Sequence, residues 1–167
     1  MRVNSNQNQD VTVLGIGNVA FWNTAFGAKQ GAAVTIANTT LSGDALILAA
    51  TGTLSGNAYP DFIRVAVSTT SATVATTTNA GVSATTVGTF TPAGGFANGD
   101  IITAVVDGTN AVAAPTVYVW RTRAGVDLFL GAAQITPNPL WQNGGRIGLT
   151  GVPNNGRVDD FAGGNAP

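Results

Sequence analysis

The chain has 167 residues, of which 44% are apolar, and its seven basic residues and eight Asp give a formal net charge of −1. This length fits one domain with a sizeable core, and the charge balance provides no basic surface for nucleic acid or for an anionic membrane. Glu, His and Cys are absent, so a His-dependent nucleophilic triad and a pair of catalytic Glu residues are excluded.

Residues Met1–Asp10 form a polar segment rich in Asn and Gln. We predict a polar N-terminal arm that is either disordered or in contact with a neighbouring subunit. The segment lacks the apolar core of a signal peptide, and no apolar run in the chain approaches a membrane span. We therefore expect a protein made in a cytoplasm, without membrane insertion. The candidate assembly contacts of the arm are Arg2, Val3, Asn4, Asn6, Gln7 and Asn8.

Nine short runs rich in β-branched and aromatic residues follow, and Gly, Asn, Asp, Pro or Ser separate nearly all of them. Their spacing of roughly ten to fifteen residues is typical of a β-sandwich or barrel. We predict one all-β domain over residues 11–167. The runs are Val11–Leu14, Val19–Trp22, Ala32–Ile36, Ala45–Ala49, Phe62–Val67, Thr85–Phe90, Ile101–Val106, Thr116–Trp120 and Val126–Leu130.

Residues Ser68–Thr86 differ from these runs because they are rich in Thr, Ser, Ala and Val without a clear apolar face. The composition leaves three interpretations open: an edge strand, one arm of a hairpin, or a mobile flap. An unpaired edge here would favour self-association.

Two further strand-like segments, Gly145–Thr150 and Arg157–Phe161, close the chain. The connection Gly151–Gly156 contains Pro, Asn and Gly, which favour a tight reversal, so we predict a hairpin. Apolar positions three residues apart interrupt the alternation across Asp159–Asp160, which predicts a β-bulge in an irregular final strand.

Asp159–Asp160 is also the carboxylate pair that most resembles an active site. Neighbouring residues of a strand point to opposite faces, so we favour one Asp paired with Arg146 or Arg157 and the other bound to backbone amides. We expect no enzyme and no cofactor. A structural calcium ion remains an alternative, with Asp100, Asp107 and Asn110 as oxygen ligands near loops, although no twelve-residue calcium loop is present.

Aromatic side chains are the other candidates for binding, because exposed rings stack on sugars. The candidate glycan-binding residues are Trp22, Tyr59, Trp120 and Trp141. For each of them, packing in the core is the favoured alternative.

Three parts of the chain carry a resemblance to a known family: Asn18–Gln30, Phe96–Gly108 with Thr116–Trp120, and Pro139–Leu149 leading to Arg157–Phe161. In this order they resemble the concanavalin-A-like jelly-roll family in its laminin-G-like form, from about Asn18 onward. The chain is most similar to modules in tail and surface proteins of bacteriophages, especially those that infect actinobacteria.

The resemblance implies two antiparallel sheets packed face to face, with function on the concave face or in the loops. It does not imply an enzyme, since glucanases of the superfamily use Glu. The function it implies is that of a virion structural protein, a capsid decoration or an exposed tail component. Its partners would be other virion proteins, with many copies or a homo-oligomer in the assembly. The alternative is a carbohydrate-binding module for host glycans.

Overall fold

The computed structural model of the chain describes residues 11–13, 17–38, 42–52, 61–77, 84–110, 113–151 and 157–167. These residues contain twelve strands and one short helix. The elements are β1 (Val11–Val13), β2 (Gly17–Phe26), β3 (Lys29–Asn38), β4 (Ser42–Ala50), β5 (Phe62–Ser68), β6 (Ala72–Thr77), β7 (Thr85–Phe90), β8 (Ile101–Asp107), β9 (Thr116–Arg123), β10 (Val126–Gln134), α1 (Pro139–Gln142), β11 (Gly145–Gly151) and β12 (Arg157–Asn165).

The strands form two antiparallel sheets. The large sheet has seven strands in the order β1-β2-β11-β4-β5-β6-β7, and the small sheet has five in the order β10-β9-β8-β3-β12. Strands from the two ends of the chain pair in both sheets, β2 with β11 and β3 with β12. This is the arrangement of a jelly-roll β-sandwich, and it confirms the predicted fold class.

The core lies between the sheets, and strand periodicity places its side chains there. In β3, Ala32, Val34 and Ile36 are at most 3% exposed, whereas the residues between them are partly exposed. The same alternation buries Val117 and Val119 of β9. Alternate side chains of a strand point to opposite faces. The residues between these buried positions therefore point outward and form the outer face of the small sheet.

The predicted hairpin at the end of the chain is wrong. β11 lies inside the large sheet between β2 and β4, whereas β12 pairs with β3 at the edge of the small sheet. The connection between β11 and β12 therefore passes from one sheet to the other. Turn-forming residues indicate that the chain reverses, but they do not indicate which strand each arm pairs with.

The final strand does contain the predicted bulge. Thr35 and Ala33 of β3 pair with Asp159 and Ala162 of β12. The chain advances two residues in β3 but three in β12, so β12 has one extra residue at this point. Asp160 has a φ of 48°, a left-handed conformation that L-residues adopt rarely and that re-aims the strand.

The Thr-rich region contains β6, which lies between β5 and β7. Of the three interpretations, the hairpin arm is confirmed for Ala72–Thr77. Ala72 and Val74 are fully buried, so this strand does have an apolar face built from small side chains. The edge of the large sheet on this side is β7.

Candidate binding surface on the small sheet

Aromatic side chains collect on the outer face of the small sheet. In β9, Tyr118 and Trp120 alternate with buried Val117 and Val119, so both rings point away from the core. The two rings stack, with centroids 6.0 Å apart and an interplanar angle of 28°. Side chains two residues apart on one strand face are neighbours, and here they form a continuous aromatic surface.

β10 adds a third ring to this surface. Phe129 lies opposite Trp120 in the β9–β10 ladder, and its ring centroid is 5.5 Å from that of Trp120. Directly paired residues share a sheet face, which explains the contact. Phe129 is 53% exposed. We call Tyr118, Trp120 and Phe129 the aromatic cluster.

Aliphatic side chains add exposed apolar area near the β9–β10 turn. Ile101 is on the outer face with Trp120, whereas Val126 and Leu128 pair with the two arginines of β9 and lie on the opposite face. Val126 and Leu128 of β10 are 70% and 42% exposed, and Ile101 of β8 is 38% exposed. Ile101 and Val126 lie opposite Thr122 and Arg123, at one end of β9. Within the described part of the chain, the exposed large hydrophobic residues are these three and Phe129. We call the four residues the apolar corner.

One carboxylate borders the aromatic cluster. Asp127 lies opposite Thr122 in the ladder, and the Thr122 hydroxyl donates a hydrogen bond of 2.6 Å to its Oδ1. Asp127 is two residues from Phe129 on the same strand, so the two side chains share a face. The surface therefore combines flat rings with a fixed hydrogen-bond acceptor.

The two arginines of β9 do not join this surface. Arg121 and Arg123 both donate to the carbonyl oxygen of Gly95, at 2.9 and 3.1 Å. Arg123 also forms a two-armed ion pair with Asp100, in which Nε reaches Oδ1 and one terminal nitrogen reaches Oδ2, each at 2.7 Å. The arginines thus fix the segment 91–100 against the end of β9.

Asp100, a candidate calcium ligand, is 1% exposed and its carboxylate is occupied by protein donors. Besides Arg123, the amide of Ala97 donates to Oδ2 at 2.8 Å. Burial by itself raises the pKa of Asp100, but the hydrogen bonds from Arg123 and Ala97 and the positive charge nearby outweigh it and lower the pKa below 3.8. The carboxylate serves as an anchor for the loop that precedes β8.

The other two calcium candidates bind their own loop. The hydroxyl and the amide of Thr109 hydrogen-bond to Asp107 Oδ1 at 2.6 and 3.1 Å, and they lower the pKa of Asp107. The side chain of Asn110 accepts from the amide of Ala113 at 3.2 Å. Among the residues that the structure describes, no three acidic, His or Cys side chains converge as a metal site.

The predicted aromatic candidates have separate locations. Trp120 is in the aromatic cluster, whereas Trp22 is partly buried and packs against the core. Trp141 is 2% exposed and donates its indole N–H to the carbonyl of Thr136 at 3.3 Å, so it presents no ring face to a ligand. Tyr59 and the candidate arm residues Arg2 to Asn8 lie outside the described residues.

Phe129 lies in the predicted strand run Val126–Leu130 but is not among the candidate residues, because the sequence alone does not give its partner on the neighbouring strand. The signal that identifies it is the pairing with Trp120, which depends on the turn at Ala124 and Gly125. Both turn residues have positive φ, 50° and 78°, as the two-residue hairpin turn requires.

Comparisons with known proteins give structural likenesses only. The chain is similar to part of a bifunctional GH43-CE protein of Bacteroides eggerthii, with a TM-score of 0.48, 13% identity, and coverage of 99% of this chain and 22% of that one. It is also similar to alginate lyase A1-II′, a member of polysaccharide lyase family 7, with a TM-score of 0.47, 13% identity, and coverage of 90% and 71%. No family model and no curated protein matches the chain.

None of the helical residues in the described ranges forms a helix long and apolar enough to cross a bilayer.

Proposed function

We propose that this chain is a non-enzymatic structural protein of a bacteriophage virion, a capsid decoration or a surface-exposed tail component that works by packing against neighbouring proteins. The apolar corner is the observation that carries the proposal. Four large hydrophobic side chains between 38% and 70% exposed lie at one end of the small sheet, Ile101 and Phe129 on its outer face and Val126 and Leu128 on the opposite face. Large apolar side chains exposed close together at one sheet edge are typical of a region covered by a partner.

The energy of such a contact is sufficient for assembly when many copies take part. Complete burial of one large apolar side chain contributes about 1.5–3 kcal/mol, so covering these half-exposed residues contributes about 1 kcal/mol each. The formal net charge of −1 gives little repulsion between neighbouring copies. Repetition around a particle multiplies weak contacts into a stable layer.

Three of the described carboxylates support a structural role. Asp100 is held by Arg123 and Ala97, Asp107 caps Thr109, and Asp127 accepts from Thr122. General acid and base catalysis needs groups aimed at a substrate with tuned pKa values. Carboxylates that fix loops and strand pairs instead support a protein that binds without turnover.

The test is incorporation into particles. Purified virions should contain the chain in a constant number of copies per particle, measured by quantitative mass spectrometry. Phe129→Ser should lower that number because it removes the one aromatic ring of the apolar corner. Thr24→Ser, at an exposed position of β2 in the other sheet, is the matched control and should leave it unchanged. Absence of the wild-type chain from virions contradicts the proposal.

A second candidate function is glycan binding at the aromatic cluster. The stacked rings of Tyr118 and Trp120, the adjoining Phe129, and the acceptor Asp127 supply what a sugar needs, an apolar platform with a directional polar group beside it. Trp120→Ala should abolish signals on a glycan array, and Trp120→Phe should retain a fraction of them because a ring remains. Equal binding by both variants and the wild type contradicts this candidate.

A further inference from the structure

β10 is an edge strand whose first half has a free side. Among the strands that the structure describes, it pairs with β9 alone, and Val126–Phe129 are all exposed. In the two-residue turn, Arg123 and Val126 form the hydrogen-bonded pair. Because hydrogen-bonded pairs alternate along an antiparallel ladder, the amides and carbonyls of Asp127 and Phe129 point outward from the sheet.

The features that normally protect a sheet edge are missing from this stretch. Edges are blocked by Lys, Pro or a bulge, and Val126–Phe129 contains neither Lys nor Pro. The bulge of β10 comes after Phe129, where the register shifts before Gly131. The one charge, Asp127, is drawn toward its own sheet by the Thr122 hydroxyl. The edge is therefore unblocked over these four residues, three of which are apolar.

The other sheet edges are less suitable for pairing. β1 has three residues, and β12 is interrupted by two register shifts. β7 is rich in Thr, and Thr85, Thr86 and Thr89 expose polar side chains. Among the described edges, β10 alone combines outward backbone groups with exposed apolar side chains on both faces.

We propose that β10 binds β10 of a second copy of this chain in an antiparallel pair around a two-fold axis, which joins the two small sheets into one. Asp127 of each copy lies opposite Phe129 of the other, and these two residue pairs exchange four backbone hydrogen bonds. Leu128 then lies on the axis opposite Leu128 of the second copy. Strand addition of this kind is self-complementary, since each strand supplies the same donors and acceptors.

Charge and strand geometry select this register over its neighbours. A shift that centres the axis on Asp127 places two carboxylates directly opposite each other, which is destabilising. A shift that centres it on Phe129 brings Asp127 against the bulge at Gly131, where the ladder is broken. The register centred on Leu128 avoids both conflicts and brings two exposed leucines together.

This inference rests on the proposed role of the apolar corner as a protein contact, but it needs only the purified chain. The sequence contains no Cys, so a single introduced thiol reports the contact cleanly. In the proposed pair, Leu128 of one copy lies opposite Leu128 of the other without direct hydrogen bonds between them. The Cα atoms of such a pair are about 4.5 Å apart, which is within the range that a disulfide can bridge. Leu128→Cys should therefore form a disulfide-linked dimer under mild oxidation of the native protein.

Val126→Cys is the matched control, because this residue is more exposed than Leu128 but lies away from the axis. It should cross-link far less than Leu128→Cys.

Sedimentation of the wild type should give about twice the chain mass of 16.7 kDa. Leu128→Lys, which places a charge on the axis, should give the mass of one chain. A wild-type monomer, or equal cross-linking of both Cys variants, overturns the two-fold β10 pair. Incorporation into virions is measured independently, so failure there leaves the dimer standing.

Discussion

Replacing Gln30 with Leu tests a polar link between the two sheets. Gln30 lies on β3 of the small sheet and is fully buried. Its Oε1 accepts a hydrogen bond of 3.0 Å from the amide of Ala49 on β4, and its Nε2 donates to the carbonyls of Gly27 and Gly145 at 2.9 and 3.4 Å. Leu has a similar size but neither donor nor acceptor, so it leaves these backbone groups without their partner.

The magnitude follows from the burial of each backbone group. Ala49 is fully buried, so its amide has no access to water once Gln30 is lost, and an unsatisfied buried donor costs about 1–3 kcal/mol. Gly27 is exposed and its carbonyl can bind water instead. We expect the free energy of unfolding to fall by about 1–3 kcal/mol, equivalent to a Tm lower by about 2–12 °C for a chain of this size.

The assay is urea unfolding followed by tryptophan fluorescence, with calorimetry for Tm. Gln134→Leu is the matched control, since it makes the same replacement at an exposed position of β10 and should change stability by less than about 0.5 kcal/mol. Equal stability of the Gln30 and Gln134 variants would refute the reasoning that the buried amide links the sheets.

Three further changes probe other contacts. Asp100→Asn should destabilise the fold by about 1–3 kcal/mol near neutral pH, because it weakens the ion pair with Arg123. Folding lowers the pKa of Asp100, so the stability advantage of the wild type should be present above about pH 4. It should disappear as the pH falls through the lower pKa of the folded state. Ala124→Asn should raise stability by about 0.5–1 kcal/mol, because Ala124 has a φ of 50° that Asn tolerates better in a hairpin turn. Gly131→Ala should lower stability by about 1–3 kcal/mol, because the new methyl group overlaps the ring of Phe90.

The outcomes that would contradict these expectations are equally definite. A stability gap for Asp100→Asn that stays constant down to pH 2 would show that the carboxylate is not the titrating contributor. A lower Tm for Ala124→Asn would remove the strain argument for the turn. Wild-type stability of Gly131→Ala would show that β7 and β10 are not in close contact.

The sequence was sufficient for the fold class and for most strand positions, since short β-branched runs separated by turn residues have few other solutions. It did not show how the strands pair. Gly145–Gly151 and Arg157–Asn165 are adjacent along the chain but belong to different sheets, because each is stabilised by partners distant in sequence. The bulge at Asp159–Asp160 was predictable since it changes a local alternation.

The candidate surface was predictable only in part. Strand alternation places Tyr118 and Trp120 on one face, but which face is buried depends on the opposing sheet. Trp141 illustrates the same limit: its indole is buried by packing from elements far apart in sequence. Asp100 lies in a loop, as a metal ligand often does, yet its carboxylate is bound by Arg123, which is 23 residues further along the chain on β9.

The most direct test of the proposed virion role is a density map of the intact particle in which this chain is identified. The account predicts that the chain is present in the virion, with the side chains of Val126, Leu128 and Phe129 covered by a neighbouring subunit. A map in which the chain is absent, or in which this corner of the small sheet faces open solvent, would contradict it.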